Sequence, residues 1–382
     1  MTFEPPIHLP TEIVLQIVAE VAVDEFARQP TLYACCLVSR QWYSCAIAPL
    51  YEKPRMDTGS SFTKFTKIIS PPIAARKSNW NLGQLVHKLD LSRLVHHSSP
   101  SLTARLLGRV KDNLEVFYAP RVSFASNSLP AISKCTRLRS LDLSLVATSI
   151  HFRELKKSIS HLENLHTLWL PQSTSIKNTE SASSEIPWPP GLHRVQFSGH
   201  FTAAAMQSFL WPSSLTSLNL KNCSDLSLPN ISTLVSNPGL GRTLNRLTIS
   251  GQNRHLSPES INATLAFMPD LSFLSIPGDV VDDTFFDILC HANAPTLEVL
   301  EFGYPSVEPA VYFTTENLIK ALDLGLPNLR AVGFAEIFCS EDMLDDDAVD
   351  DFLLNREELR KNQPGAGISD STIHMQPGVY YV

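Results

Sequence analysis

The feature that most limits what this chain can fold into is a period. A six-residue unit with apolar residues at positions 1, 4 and 6 recurs ten times. It begins as Val86-x-x-Leu89-x-Leu91, Leu114-x-x-Phe117-x-Ala119, Leu138-x-x-Leu141-x-Leu143 and Leu165-x-x-Leu168-x-Leu170. It continues as Leu192-x-x-Val195-x-Phe197, Leu215-x-x-Leu218-x-Leu220 and Leu244-x-x-Leu247-x-Ile249. It ends as Leu271-x-x-Leu274-x-Ile276, Leu297-x-x-Leu300-x-Phe302 and Leu329-x-x-Val332-x-Phe334, with a mean spacing of 27 residues. Scattered matches arise in any leucine-rich helix, but a run of ten near one spacing does not. Positions 4 and 6 lie two apart, so on a short strand their side chains share a face. Each unit therefore reads as a strand with that pair turned inward, and the rest of the period leaves room for a helical return.

The intervening sequence agrees. Leu102–Val110, Phe152–Leu162, Thr202–Leu210, Pro258–Phe267, Asp282–His291 and Thr315–Leu324 carry apolar residues at helical spacing. Ser257-Pro258-Glu259 reads as cap, first-turn proline and first-turn acid. Only Leu215–Cys223 gives the fuller form with a cysteine at position 9, so the array is degenerate. In period and pattern it resembles the leucine-rich repeat family over residues 82–340. The resemblance implies an α/β repeat solenoid, an arc of about ten parallel strands. Gln172–Glu185, rich in Ser and Thr, reads as an exposed insertion.

The first fifty residues follow another pattern. Leu9-Pro10-Thr11-Glu12-Ile13 opens a helix, with Thr11 as its cap and Ile17 and Val21 on the same spacing. A second helix is expected over Leu32–Val38 and a third from Arg40 to Ala48. Leu-Pro-x-Glu-Ile, followed in order by Leu37-Val38-Ser39-Arg40-x-Trp42 and Leu50-Tyr51, resembles the F-box, a three-helix module. The stretch between the two motifs is about six residues longer than the family pattern, around Asp24–Pro30. A second reading makes this segment only an apolar cap on the open end of the array. Three short helices cannot bury all their apolar residues internally, so on either reading some must meet another surface.

What the F-box resemblance implies is specific. The module, residues 5–52, would bind the Skp-family adaptor of a Skp–cullin–F-box ubiquitin ligase, and through it the cullin-RING ligase. Leu9, Pro10, Glu12, Ile13, Ile17, Leu37, Val38 and Trp42 would make that contact. Residues 53–81 would be a linker, and the repeats would hold a substrate protein whose identity the sequence does not give. The alternative is a leucine-rich repeat scaffold or regulator with no ubiquitin role.

Composition sets the remaining bounds. Of 382 residues, 43% are hydrophobic and 18% charged, ample for a core. The net charge of −7 argues against a nucleic-acid partner. Ten acids and one base fall within residues 336–358, so the acidity belongs to the C-terminal end and residues 341–382 read as an acidic, solvated tail. Seven cysteines, an odd number without a C-x-x-C pair, suggest neither a disulfide framework nor a zinc site. With no basic n-region before an apolar run and no apolar stretch near membrane-spanning length, the expected compartment is cytoplasm or nucleus, with no membrane partner.

Signatures for catalysis are missing. Phosphate-cradling glycine loops, G-x-S-x-G and H-E-x-x-H do not occur. His96-His97 reads as a surface loop. Asp345–Asp347 and Asp350-Asp351 lack calcium-loop spacing. We therefore expect no catalytic residue, no metal and no cofactor, and a receptor rather than an enzyme. What the array offers is a face. In each unit positions 3 and 5 point opposite to the core, and rows of equivalent residues run across the strands. Tyr118, Trp169, Arg194, Arg246 and Phe273 stand out there as a substrate-binding set, because large aromatics beside arginines are the chemistry of protein interfaces.

Overall fold

The structure is a computed structural model that describes residues 9–71, 81–94, 99–176, 186–262, 264, 268–292, 296–340, 344–361 and 376–382. The chain forms two compact units. The first comprises Met1–Ser149 with Lys157–Leu165, and the second Ile150–Lys156 with His166–Val382.

The first unit opens with α1 (Thr11–Val23), α2 (Arg28–Val38) and α3 (Arg40–Glu52). Val14, Val18, Leu32, Cys45 and Ala46 are their buried core. Thr11 lies inside α1 and does not cap it. The Pro10 carbonyl instead accepts from the amides of Ile13 and Val14 at 3.1 and 3.2 Å. Ser39 caps α3, accepting from the Trp42 amide at 3.3 Å. The lengthened stretch forms a turn and the first turn of α2, which starts earlier than the expected Leu32. The Asp24 carboxylate accepts from the amides of Phe26 and Ala27 at 2.9 and 3.0 Å. Arg28 then ties the stretch to the end of α3, donating to the carbonyls of Pro49 at 2.6 Å and Lys53 at 3.0 Å.

The expected linker is in part a packed helix. α4 (Gly59–Ile69) begins at a capping box of Thr58 and Ser61 and buries Phe62, Phe65 and Ile69. Residues 72–80 lie outside the described residues. Three parallel strands follow, β1 (Lys88–Asp90), β2 (Val116–Tyr118) and β3 (Ser140–Asp142), paired in that order. α3 feeds this ladder directly, since the Glu52 carbonyl accepts from the His87 amide at 2.9 Å. α5 (Pro100–Val110) is a return helix capped by Ser99.

The second unit carries β4 (Thr167–Trp169), β5 (Ser175–Ile176), β6 (Arg194–Phe197), β7 (His200–Phe201) and β8 (Ser217–Lys221). Then come β9 (Arg246–Ser250), β10 (Phe273–Pro277), β11 (Val299–Gly303), β12 (Ala331–Phe334) and β13 (Gly378–Tyr381). Its sheet runs β4-β6-β8-β9-β10-β11-β12-β13, while β5 and β7 form a separate two-stranded pair. Pairing is parallel and in register: Leu218 sits beside Leu247, Leu247 beside Leu274, and Leu274 beside Leu300. The residues at positions 1, 4 and 6 of all ten units are at most 4% exposed. This is the leucine-rich repeat architecture, one strand per unit with a helical or turn return. Helices at Ala203–Ser208, Asp283–Ala292 and Thr315–Leu324 supply returns in this unit. The helix begun at Pro258 ends at Ile261, with Asn262 as its C-cap, short of the expected Phe267.

The C-terminal end is not a solvated tail. Residues Asp346–Lys361 form a helix and Gly378–Tyr381 add an eleventh repeat-type strand beside β12, with Val332 opposite Val379 and Gly333 opposite Tyr380. The helix stays acidic outside and apolar within, burying Val349 and Leu353. Arg356 resolves a backbone problem. Its guanidinium donates to the carbonyls of Leu322 at 2.7 Å, Leu326 at 3.1 Å and Leu329, around the end of the preceding helix. Asp350 accepts from the Val379 amide at 2.7 Å and so holds β13 in place.

Because each charge-assisted bond to a part-buried acceptor contributes ~1.5–3 kcal/mol, Arg356→Met is expected to lower stability by about 2 kcal/mol or more. Removing residues 344–382 is expected to lower the denaturation midpoint further, since it bares the β12 edge. Urea unfolding followed by circular dichroism checks both. An unchanged midpoint for the truncated chain would mean that this segment is not part of the fold.

Candidate functional site

Two surfaces of the described residues stand out, one in each unit. On the helical module the residues singled out from sequence divide by burial. Ile13, Ile17, Leu37 and Val38 are exposed at 41, 38, 69 and 64%. Pro10 and Glu12 are also exposed, while Leu9 and Trp42 are half-buried against the module core. The helical period explains the split. Val14 and Val18 fill the core from α1, so Ile13 and Ile17, one position earlier in each turn, face out. Leu37 and Val38 close α2 just before the Ser39 break. Gln41 ties the two motifs together, its side-chain amide donating to the Leu9 carbonyl at 2.8 Å and to the Thr11 hydroxyl at 3.1 Å.

Sequence reading missed part of this surface. Leu15, Phe26 and Tyr33 are exposed at 49, 84 and 59%. A groove of about 600 Å³ runs between α2 and α4, lined by Phe26, Pro30, Tyr33, Tyr51, Phe65 and Ile68 among others. Phe26 and Pro30 come from the lengthened stretch, whose polar turn carries no periodicity that would have marked them.

Cys35 and Cys36 lie on α2, and all seven cysteines are free thiols. Burial and then the neighbouring Cys35 push the Cys36 thiol up from its ordinary value. Burial holds Cys135 and Cys223 at about 12. Thiols shifted this way stay protonated and weakly nucleophilic near neutral pH. Among the described residues no cluster of His, Cys, Asp and Glu is placed to hold a metal, and no helix is long and apolar enough to cross a membrane. His96-His97 lies outside the described residues.

The second surface is the outward face of the unit 2 strands. Register turns sequence positions into rows. Position 3 runs Arg194, Ser217, Arg246, Phe273, Val299, Ala331, and position 5 runs Trp169, Gln196, Asn219, Thr248, Ser275, Glu301, Gly333, Tyr380. A depression of about 280 Å³ gathers Trp169, Arg194, Arg246, Phe273 and Glu301 with the polar residues between them. Four of the five expected substrate-binding residues thus meet in one place. Tyr118 does not join them. It lies half-buried on β2 in the first unit, with the Lys88 ammonium 5.2 Å from its ring centroid.

Phe273 corrects the expectation of an exposed aromatic. It is 3% exposed and belongs to a small outward-face cluster with Val299 and Ala331, against which Tyr380 packs. The Arg246 guanidinium lies over its ring at 3.5 Å, a contact in which the ring's electron-rich face attracts the cation. Trp169 is 39% exposed and Arg194 and Arg246 are exposed. Among the described residues neither arginine side chain has a hydrogen bond or an ion pair, so both guanidiniums present unused donors.

The polar residues around them are committed. Asn219 donates to Gln196 at 3.3 Å and accepts from Ser250 at 3.3 Å. Glu301 accepts from the Ser275 hydroxyl at 2.5 Å and from the Tyr380 hydroxyl at 2.9 Å. Burial, and then Glu301, raise the Tyr380 phenol well above its ordinary value. It therefore remains a donor at any physiological pH.

Residues 7–57 match the F-box-like family. The chain is 29% identical over 302 residues to Protein pof5 of Schizosaccharomyces pombe, covering 77% of this chain and 80% of that protein. It is 29% identical over 243 residues to the F-box protein YDR306C of Saccharomyces cerevisiae, covering 64% of this chain and only 48% of that longer protein. Among solved structures it resembles that of a yeast Rad7 and Elc1 complex, with a TM-score of 0.48 and 13% identity over 97% of this chain and 92% of that one. It also resembles the leucine-rich repeat protein LegL7 of Legionella pneumophila, with a TM-score of 0.45 and 13% identity over 74% and 88% of the two chains. The chain thus carries an F-box-like segment at residues 7–57 ahead of strands in leucine-rich repeat arrangement, and it is similar to fungal F-box proteins.

Proposed function

We propose that this chain is a substrate receptor of a Skp–cullin–F-box ubiquitin ligase. Its helical module docks a Skp-family adaptor, and its repeats hold a substrate protein on their outward strand face. The observation that carries the reading is the module's exposed apolar set, Ile13, Ile17, Leu37 and Val38, on helices whose own core is already filled. Covering partly exposed apolar side chains on a folded module is favourable, with ~1.5–3 kcal/mol as the ceiling for a side chain that goes from full exposure to full burial. Such a chain performs no chemistry itself. It raises the concentration of a bound protein near a ligase that other subunits supply. The compartment that fits this role is cytoplasm or nucleus.

A clean test avoids residues that also build the module. Leu9 packs on its core and the Pro10 carbonyl starts α1, so changes there confuse folding with binding. Leu37→Asp with Val38→Asp is expected to abolish pull-down of a recombinant Skp-family adaptor while circular dichroism stays unchanged. Wild-type chain that captures no adaptor would instead favour the scaffold reading. On the repeat side, Trp169→Ala is expected to weaken capture of cellular protein partners by ~1–3 kcal/mol without touching adaptor binding. Equal partner recovery by mass spectrometry would move the substrate surface off these strands.

A further inference from the structure

The outward face of unit 2 pairs two unused guanidiniums with one carboxylate that is held elsewhere. Arg194 and Arg246 share position 3 two strands apart, with Ser217 between them, so their backbones are about 10 Å apart at ordinary strand spacing. Glu301 lines the same depression. Left alone, a carboxylate beside an arginine closes an ion pair and cancels its charge. Here no such pair forms, and Ser275 donates to one oxygen and Tyr380 to the other, which fixes the carboxylate's direction away from the guanidinium. Burial lowers the Arg246 guanidinium from its ordinary value; the field of Glu301 opposes that shift and the neighbouring Arg194 adds to it.

Tyr380 reaches Glu301 only because of the C-terminal strand. β13 places it at position 5, next to Gly333. A Cβ on Gly333 would lie 2.6 Å from the Tyr380 ring and 2.9 Å from the Glu301 side chain. The glycine leaves the gap through which the phenol crosses to the strand beyond.

We propose that Tyr380 is a positioning residue for substrate recognition. By holding Glu301 off Arg246, it keeps Arg194 and Arg246 free to clamp carboxylates of an extended acidic segment of the substrate protein, with Trp169 as the apolar platform beside them. The proposal rests on the reading that the strand face binds substrate, and adds the chemistry of the segment and the control of the clamp. Charge complementarity selects the partner: two cations without acceptors at a shallow groove match acidic side chains better than an apolar helix or a basic chain.

The test uses the purified full chain and a fluorescein-labelled peptide of alternating glutamate and alanine, with a glutamine version as control. Fluorescence anisotropy is expected to show binding of the glutamate peptide only, weakened about tenfold or more by Arg194→Gln or Arg246→Gln. Tyr380→Phe is expected to weaken it about fivefold, because the freed carboxylate turns to Arg246. The decisive variant combines Tyr380→Phe with Glu301→Gln. It is expected to recover wild-type affinity, since no charge remains to occupy the arginine. A merely structural role for Tyr380 would leave the double variant as weak as the single one, and that result overturns the proposal. So does a wild-type chain that binds the glutamine peptide equally well, or neither peptide. An unchanged circular dichroism spectrum and urea midpoint for each variant verify that the chain is folded. The peptide assay needs no adaptor, and the partner-capture test with Trp169→Ala needs no acidic peptide. Failure of the clamp is therefore separate from failure of the receptor reading.

Discussion

Everything in the repeat portion depends on parallel strands pairing in strict register. A parallel ladder satisfies backbone donors and acceptors only when each strand has a neighbour, and it places residues of equal unit position side by side. The inward half of each unit is then forced to be apolar, and Leu218, Leu247, Leu274 and Leu300 form one such buried row. The outward half is free of that demand except where Phe273, Val299 and Ala331 form a buried cluster of their own. Its other residues are aligned by the same register without a packing constraint, which is why a recognition surface can be assembled there from several repeats.

A ladder also has ends, and both units show how this chain treats them. In the first unit α3 delivers a carbonyl, that of Glu52, to the His87 amide at the start of the first repeat. In the second, the acidic helix and β13 close the far edge, with Arg356 collecting three backbone carbonyls. That closure does more than protect an edge. It brings Tyr380 over Phe273, Val299 and Ala331, so stabilising the last repeats and shaping the outward face are one arrangement.

Where the sequence was legible, one physical rule sufficed. The 1-4-6 pattern located ten strands because fully buried positions tolerate only apolar side chains. The eleventh escaped because its equivalent residues are Gln376, Val379 and Tyr381, polar at position 1 and partly exposed at the edge. The charge run of residues 336–358 suggested solvation, yet a helix can show acids on one face and bury Val349 and Leu353 on the other. α4 was hidden for a different reason: its Ser-, Thr- and Lys-rich outer face masks Phe62, Phe65 and Ile69 at helical spacing. Of the candidate site, Trp169, Arg194 and Arg246 were legible as outward positions. The burial of Phe273 was not, since it depends on Tyr380, 107 residues further along.

The central claim is that the helical module is a docking surface for an adaptor while the strand face remains available for another protein. Hydrogen–deuterium exchange on the chain with and without a purified Skp-family adaptor tests it directly. The account predicts a stable complex in which protection appears on α1, α2 and the start of α3, with exchange along β6 to β11 unchanged. Failure to form a complex, or protection concentrated on the repeat strands, would contradict it.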